Sequence, residues 1–175
     1  RVRHFSPNAR RLVVSAATRS LGIGVHDAIF SLYLLSWGYS APFIGGLLSL
    51  GNLTLAVSAL ALAPYTRRVG VKNAFILSTI IPTITAFLEI SLPMPPILMT
   101  TAVLANLAAG LAISSNGPLI TDCSTAYERT HLFGIYQGSG IAAGFVGSIV
   151  GGILPGRIAL LLALPVDSPP SFQLA

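Results

Sequence analysis

Residues 28–66, AIFSLYLLSWGYSAPFIGGLLSLGNLTLAVSALALAPYT, contain no Asp, Glu, Lys or Arg. One segment breaks the run, Gly38-Tyr39-Ser40-Ala41-Pro42, whose residues are those of a tight turn. To its left the apolar stretch reaches back to about Leu12. To its right it extends to Tyr65, where Arg67-Arg68-Val69-Gly70 stops it. A helix crosses the hydrocarbon core in about 20 mostly apolar residues, and each arm is longer than that. The stretch reads as a membrane hairpin with spans at about 12–37 and 41–65.

The same reading carries on along the chain. A third run covers about 71–92 and ends at Pro93-Met94-Pro95-Pro96. A fourth covers about 97–120 and a fifth about 132–154. Strands of a membrane barrel would alternate polar and apolar residues, and these runs do not. The expected fold class is all-α, a polytopic transmembrane helical bundle spanning residues 12–154, after a short N-terminal segment, 1–11. Residues 155–175 begin with Pro155-Gly156-Arg157 and are expected to form an external connection into a sixth helix. With no initial Met and a sixth run cut short, the chain reads as a piece of a longer protein.

Composition excludes the other broad classes. Lys and Arg number 10 and Asp and Glu 5 in 175 residues. A soluble domain of this length carries about 44 charged residues. Disorder is incompatible with so much Leu, Ile and Val. The basic residues sit at the ends of apolar runs, not on a face interleaved with aromatics, so nucleic acid is not an expected partner. Cys123 is the single cysteine, which rules out an intrachain disulfide or a cysteine metal cluster. No cofactor or metal is expected. The first run, at about 26 residues, is too long for a signal-peptide core.

Basic residues near helix ends set the orientation. Arg1, Arg3, Arg10, Arg11, Arg67, Arg68, Lys72 and Arg129 fall on one side of a five-span chain, against Arg157 on the other. That side, with the N-terminus, is the expected cytoplasmic face, in the cell membrane.

Lipid gives no hydrophobic drive between helices, so small and polar stripes mark where helices meet or face water. In the first span Ser20, Gly24, Asp27 and Ser31 share a face, with Arg19, Gly22, His26 and Tyr33 beside it. A carboxylate at mid-membrane depth is costly unless water or a partner meets it, so Asp27 is expected to face the bundle interior. Arg19 lies nearer the cytoplasmic end, where its long side chain can snorkel. The fourth span carries Asn106, Gly110, Ser114 and Gly117 in register, and the second Gly45, Ser49, Asn52, Ala56 and Ala59. The fifth carries Gln137, Gly140, Gly144, Gly147 and Gly151. Ser78, Pro82, Thr85 and Glu89 form one face of the third, with Glu89 expected to be hydrated near the outer end.

Three local patterns resemble the N-terminal half of a major facilitator superfamily transporter. The first is Tyr33-Leu34-Leu35 with Gly38-Tyr39-Ser40 and Ile44-Gly45. The second, Tyr65-Thr66-Arg67-Arg68-Val69-Gly70-Val71-Lys72, stands where that family has Gly-x-Leu-Ala-Asp-Arg-x-Gly-Arg-Lys. The third, Glu128-Arg129-Thr130-His131-Leu132-Phe133-Gly134, resembles the stretch leading into the fifth helix. The resemblance implies two six-helix halves built from inverted three-helix repeats around a central cavity. Its first and fourth helices would line the cavity, and its second and fifth would pack against the C-terminal six-helix half of the same protein. There are departures. Arg67 replaces the loop acid and Ala63 its first Gly, while Arg68, Gly70 and Lys72 remain. Asn106 occupies the place of the fourth-helix Arg of proton-coupled exporters. Asp122 or Glu128 is expected to pair with Arg67 or Arg68 at this cytoplasmic gate, with Arg129 beside them.

No Gly-x4-Gly-Lys-Ser/Thr sequence occurs, so an ATP-driven cycle is not expected. The expected function is secondary active transport of a small solute by alternating access, driven by a solute gradient or by protons, in either direction. Asp27 is the expected proton carrier or contact for a cationic solute, with His26, Tyr33, Asn106 and Gln137 as polar contacts. The alternative is a membrane assembly factor or receptor on the same scaffold, which would tolerate replacement of Asp27 and Asn106. An intramembrane enzyme using His26 and Asp27 is disfavoured, since adjacent helical residues point about 100° apart.

Overall fold

The computed structural model describes residues 6–62, 64, 65, 68, 70–125 and 127–162, and the side chains of these as far as 157. Arg1, Arg3, Ala63, Arg67, Val69 and the tail from 163 to 175 lie outside them. Among the described residues five long helices form, α1 (Pro7–Ser36), α2 (Ala41–Ala61), α3 (Val71–Ser91), α4 (Pro95–Asp122) and α5 (Arg129–Leu162). Among the described residues there is no strand.

Local chemistry sets the helix ends. Ser6 caps α1 by accepting the Ala9 N–H at 3.2 Å, and Pro7 takes the first turn, where no N–H is needed. At the other end Gly38, at φ 86°, closes a Schellman motif. Its N–H bonds the Leu35 carbonyl at 2.9 Å, and the Tyr39 N–H bonds Leu34 at 3.1 Å. Ser40 and Pro42 then start α2 with the Phe43 N–H on the Ser40 hydroxyl.

Among the described residues four helices are long and apolar enough to cross a membrane: α2, α3, α4 and α5 over Arg129–Arg157. α1, at 30 residues or about 45 Å, is long enough, but Arg19, His26 and Asp27 keep it out of that set. The surface is apolar, with Leu60 82 %, Ile141 75 % and Phe87 72 % exposed. Apolar exposure on this scale is unfavourable in water and fits lipid. The interior combines apolar side chains such as Leu34, Leu98, Ile120 and Leu132 with hydroxyls. Ser78, Thr85, Thr101 and Ser115 are buried, each bonded to a carbonyl of its own helix. Among the described residues no buried side-chain N or O lacks a hydrogen-bond partner.

Two expectations need correction. α5 does not end before Pro155; it runs through that proline to Leu162. Helices in lipid tolerate such a proline because neighbouring groups satisfy the carbonyl it frees. Glu89 is buried, not hydrated, on the α3 face that also buries Ala74, Ser78 and Thr85. The spacing identified that face correctly, but packing decided what covers it.

Cys123 follows α4 at the chain's turn towards α5, and its carbonyl accepts the Ser6 hydroxyl at 3.1 Å. Burial, and then the neighbouring Asp122 carboxylate, raise the thiol's pKa, because both disfavour the thiolate. Alkylation follows the thiolate, so its rate against pH is expected to rise at higher pH than for a free cysteine. In Asp122→Asn the curve should move part of the way back; a maleimide rate profile measures this.

Candidate solute pathway

The described residues divide into two compact units. One comprises residues up to 39 and from 120 onward, with α1 and α5. The other comprises 40–119, with α2, α3 and most of α4.

In the first unit α1 and α5 pack closely because glycines remove the side chains between them. A Cβ on Gly24 would meet the Gly144 carbonyl, and one on Gly147 the Leu21 carbonyl. On Gly151 it would come within 2.7 Å of the Val25 oxygen. Beside this seam lies an open groove of about 340 Å³, whose polar lining is Ser20, Asp27, Gln137 and Ser148. Asp27 is 70 % exposed there, so the groove leaves its carboxylate uncovered. His26 sits beside it with Nδ1 3.4 Å from Asp27 Oδ1 and its ring stacked on Phe30 at 5.2 Å.

The second unit repeats the contact with different contents. A Cβ on Gly110 would strike the Ser58 hydroxyl, and one on Gly51 would lie 2.6 Å from Asn106 Nδ2. One and the same displacement along the sequence takes Gly24 to Gly110 and Ser58 to Gly144. It also takes Ser20 to Asn106, Gly51 to Gln137 and Asp27 to Ile113. The two glycine seams therefore stand at equivalent places in the sequence. Their contents differ. In the α2–α4 seam Asn106 lies over Gly51 and donates to the Ala102 carbonyl at 2.9 Å. Ser58 donates to the Asn106 carbonyl at 3.2 Å, and Ser114 to Ala59 at 3.2 Å. The α2–α4 pair also carries an open groove, about 380 Å³, lined by Leu50, Met99, Thr100, Val103 and Leu104, so what distinguishes the α1–α5 groove is its carboxylate.

The sequence pattern of the MFS_1 like family matches residues 5–159. The chain belongs to that family. No curated protein and no solved structure matches it. Membership and the apolar helices make this MFS_1 like protein a membrane-embedded protein of transporter type, from a family of transporters and not of enzymes.

Of the residues singled out from the sequence, Asp27 and Gln137 line the groove, and His26 adjoins Asp27. Tyr33 is buried in α1 with its ring edge-on to Trp37 at 6.2 Å. Asn106 belongs to the other unit's seam. Arg68 and Lys72 are exposed around Gly70, which caps α3 at φ 87°. Asp122 ends α4, Arg129 starts α5, and Glu128 between them accepts the Thr125 hydroxyl at 3.0 Å. Arg67 is outside the described residues. Ser148 is a groove residue that sequence reading passed over. Its signal was its place one turn after Gly144, on the face that meets α1.

Proposed function

We propose that this MFS_1 like protein is a secondary active permease that moves a small solute by alternating access, with the α1–α5 groove forming part of the solute path. The supporting observation is the Asp27 carboxylate on the wall of the α1–α5 groove, where the groove on the α2–α4 pair is lined by Leu50, Met99, Thr100, Val103 and Leu104. Holding Asp27 uncovered among apolar helices has a cost that a pathway explains and a structural joint does not. The N-terminus is on the cytoplasmic side in this reading, and a solute or proton gradient supplies the energy.

The test is a thiol scan in membrane vesicles with Asp27→Cys in a Cys123→Ser background. A water-soluble reagent should modify position 27 from one side at a time, and a change in the driving gradient should switch the side. A position 27 reached only by lipid-soluble reagents would sink the proposal.

A further inference from the structure

Among the described residues Asp27 is the one charged side chain lining the groove. The other polar groups there, Ser20, Gln137 and Ser148, all present oxygens able to accept a hydrogen bond. Among the described residues no Lys, Arg, His or aromatic ring is part of the lining. His26 lies next to Asp27, but its imidazole carries charge only when protonated and its ring is held on Phe30. Arg19 is more than two turns back, about 12 Å along the α1 axis, and interacts with Tyr136.

We propose that the groove binds a small organic cation, a solute carrying an ammonium or amidinium group, with Asp27 as counter-ion and the Gln137 and Ser148 oxygens as further acceptors. The proposal rests on the permease reading and names its solute class. An uncovered carboxylate between apolar helices is stabilised by positive charge, and apart from the neighbouring His26 no described residue at the groove supplies it, so a cationic solute would complete the pairing. The volume, about 340 Å³, is that of a small-molecule site and far more than a proton needs. An anionic solute would meet the carboxylate unscreened, which opposes entry.

Three probes of one shape and different charge separate these cases: tert-butylammonium, tert-butanol and pivalate. The intact protein, with Ser148→Cys and Cys123→Ser, is labelled in membrane vesicles by a neutral water-soluble maleimide, and each probe is titrated as a protectant. The ammonium is expected to protect at a concentration at least about tenfold lower than the alcohol, and pivalate least of all. Asp27→Asn should erase the difference between ammonium and alcohol, and Asp27→Glu should restore most of it. The Glu variant and the unprotected labelling rate show that the protein is folded. Equal protection by all three, preference for the neutral or anionic probe, or no protection overturns the cation while leaving the pathway in place. A cysteine at 148 that water-soluble maleimide never reaches overturns the permease reading, and the solute class falls with it.

Discussion

Asp27→Asn is expected to lower gradient-driven transport by about 10- to 100-fold while the protein still inserts and folds. The magnitude is that of a charge-assisted interaction, about 1.5–3 kcal/mol, made during the cycle and then lost. Folding should hardly change, because the side chain is 70 % exposed and its contact with His26 is long at 3.4 Å. Asn is also cheaper than Asp to hold in lipid, so insertion is not expected to suffer. The experiment is flux into proteoliposomes under an imposed pH gradient, with monodisperse elution in detergent as the folding control. Wild-type flux in the variant would remove Asp27 from the mechanism.

Gly147→Ala is expected to destabilise the fold by about 1–3 kcal/mol, the range for overpacking a close contact. The new methyl group would run into the Leu21 carbonyl, with the Leu21 Cα 3.1 Å away. These are backbone atoms, so no rotamer change relieves the clash, and α1 and α5 must separate. Gly152 is the control, because a Cβ there meets nothing within 4 Å. Gly152→Ala should fall within about 0.5 kcal/mol of wild type. Thermal unfolding in detergent measures both. An unchanged Gly147→Ala would mean that the seam is looser than its geometry states. Separation should also widen the groove, so transport is expected to fall with stability.

The helices were legible because their signal is local and long. Residues 28–66 need no neighbour to show that they are two apolar rods joined at Gly38-Tyr39-Ser40. Glycine at i, i+3 and i+4 in the fifth span was equally plain as a ridge for close approach. Glu89 shows where such reading stops. Its position on a face with Ser78 and Thr85 follows from helical period, but whether that face meets water or another helix depends on packing. Pro155 is a second case: proline usually ends a helix, and here the helix persists to Leu162. Asn106 and Gln137 looked alike in sequence, each the polar member of a small-residue stripe. Packing separates them, since Asn106 lies across Gly51 in one seam while Gln137 borders the open groove in the other.

By itself the sequence determined that this chain is a set of apolar helices with a carboxylate set into the first of them. Hydropathy and helical period are properties of a segment alone, so they survive without knowledge of the partner. Tertiary structure decided that Asp27 lines a groove and that Asn106 is taken up in a helix contact. That depends on which side chains oppose each glycine across a helix contact, and the opposing residues are far apart in the chain.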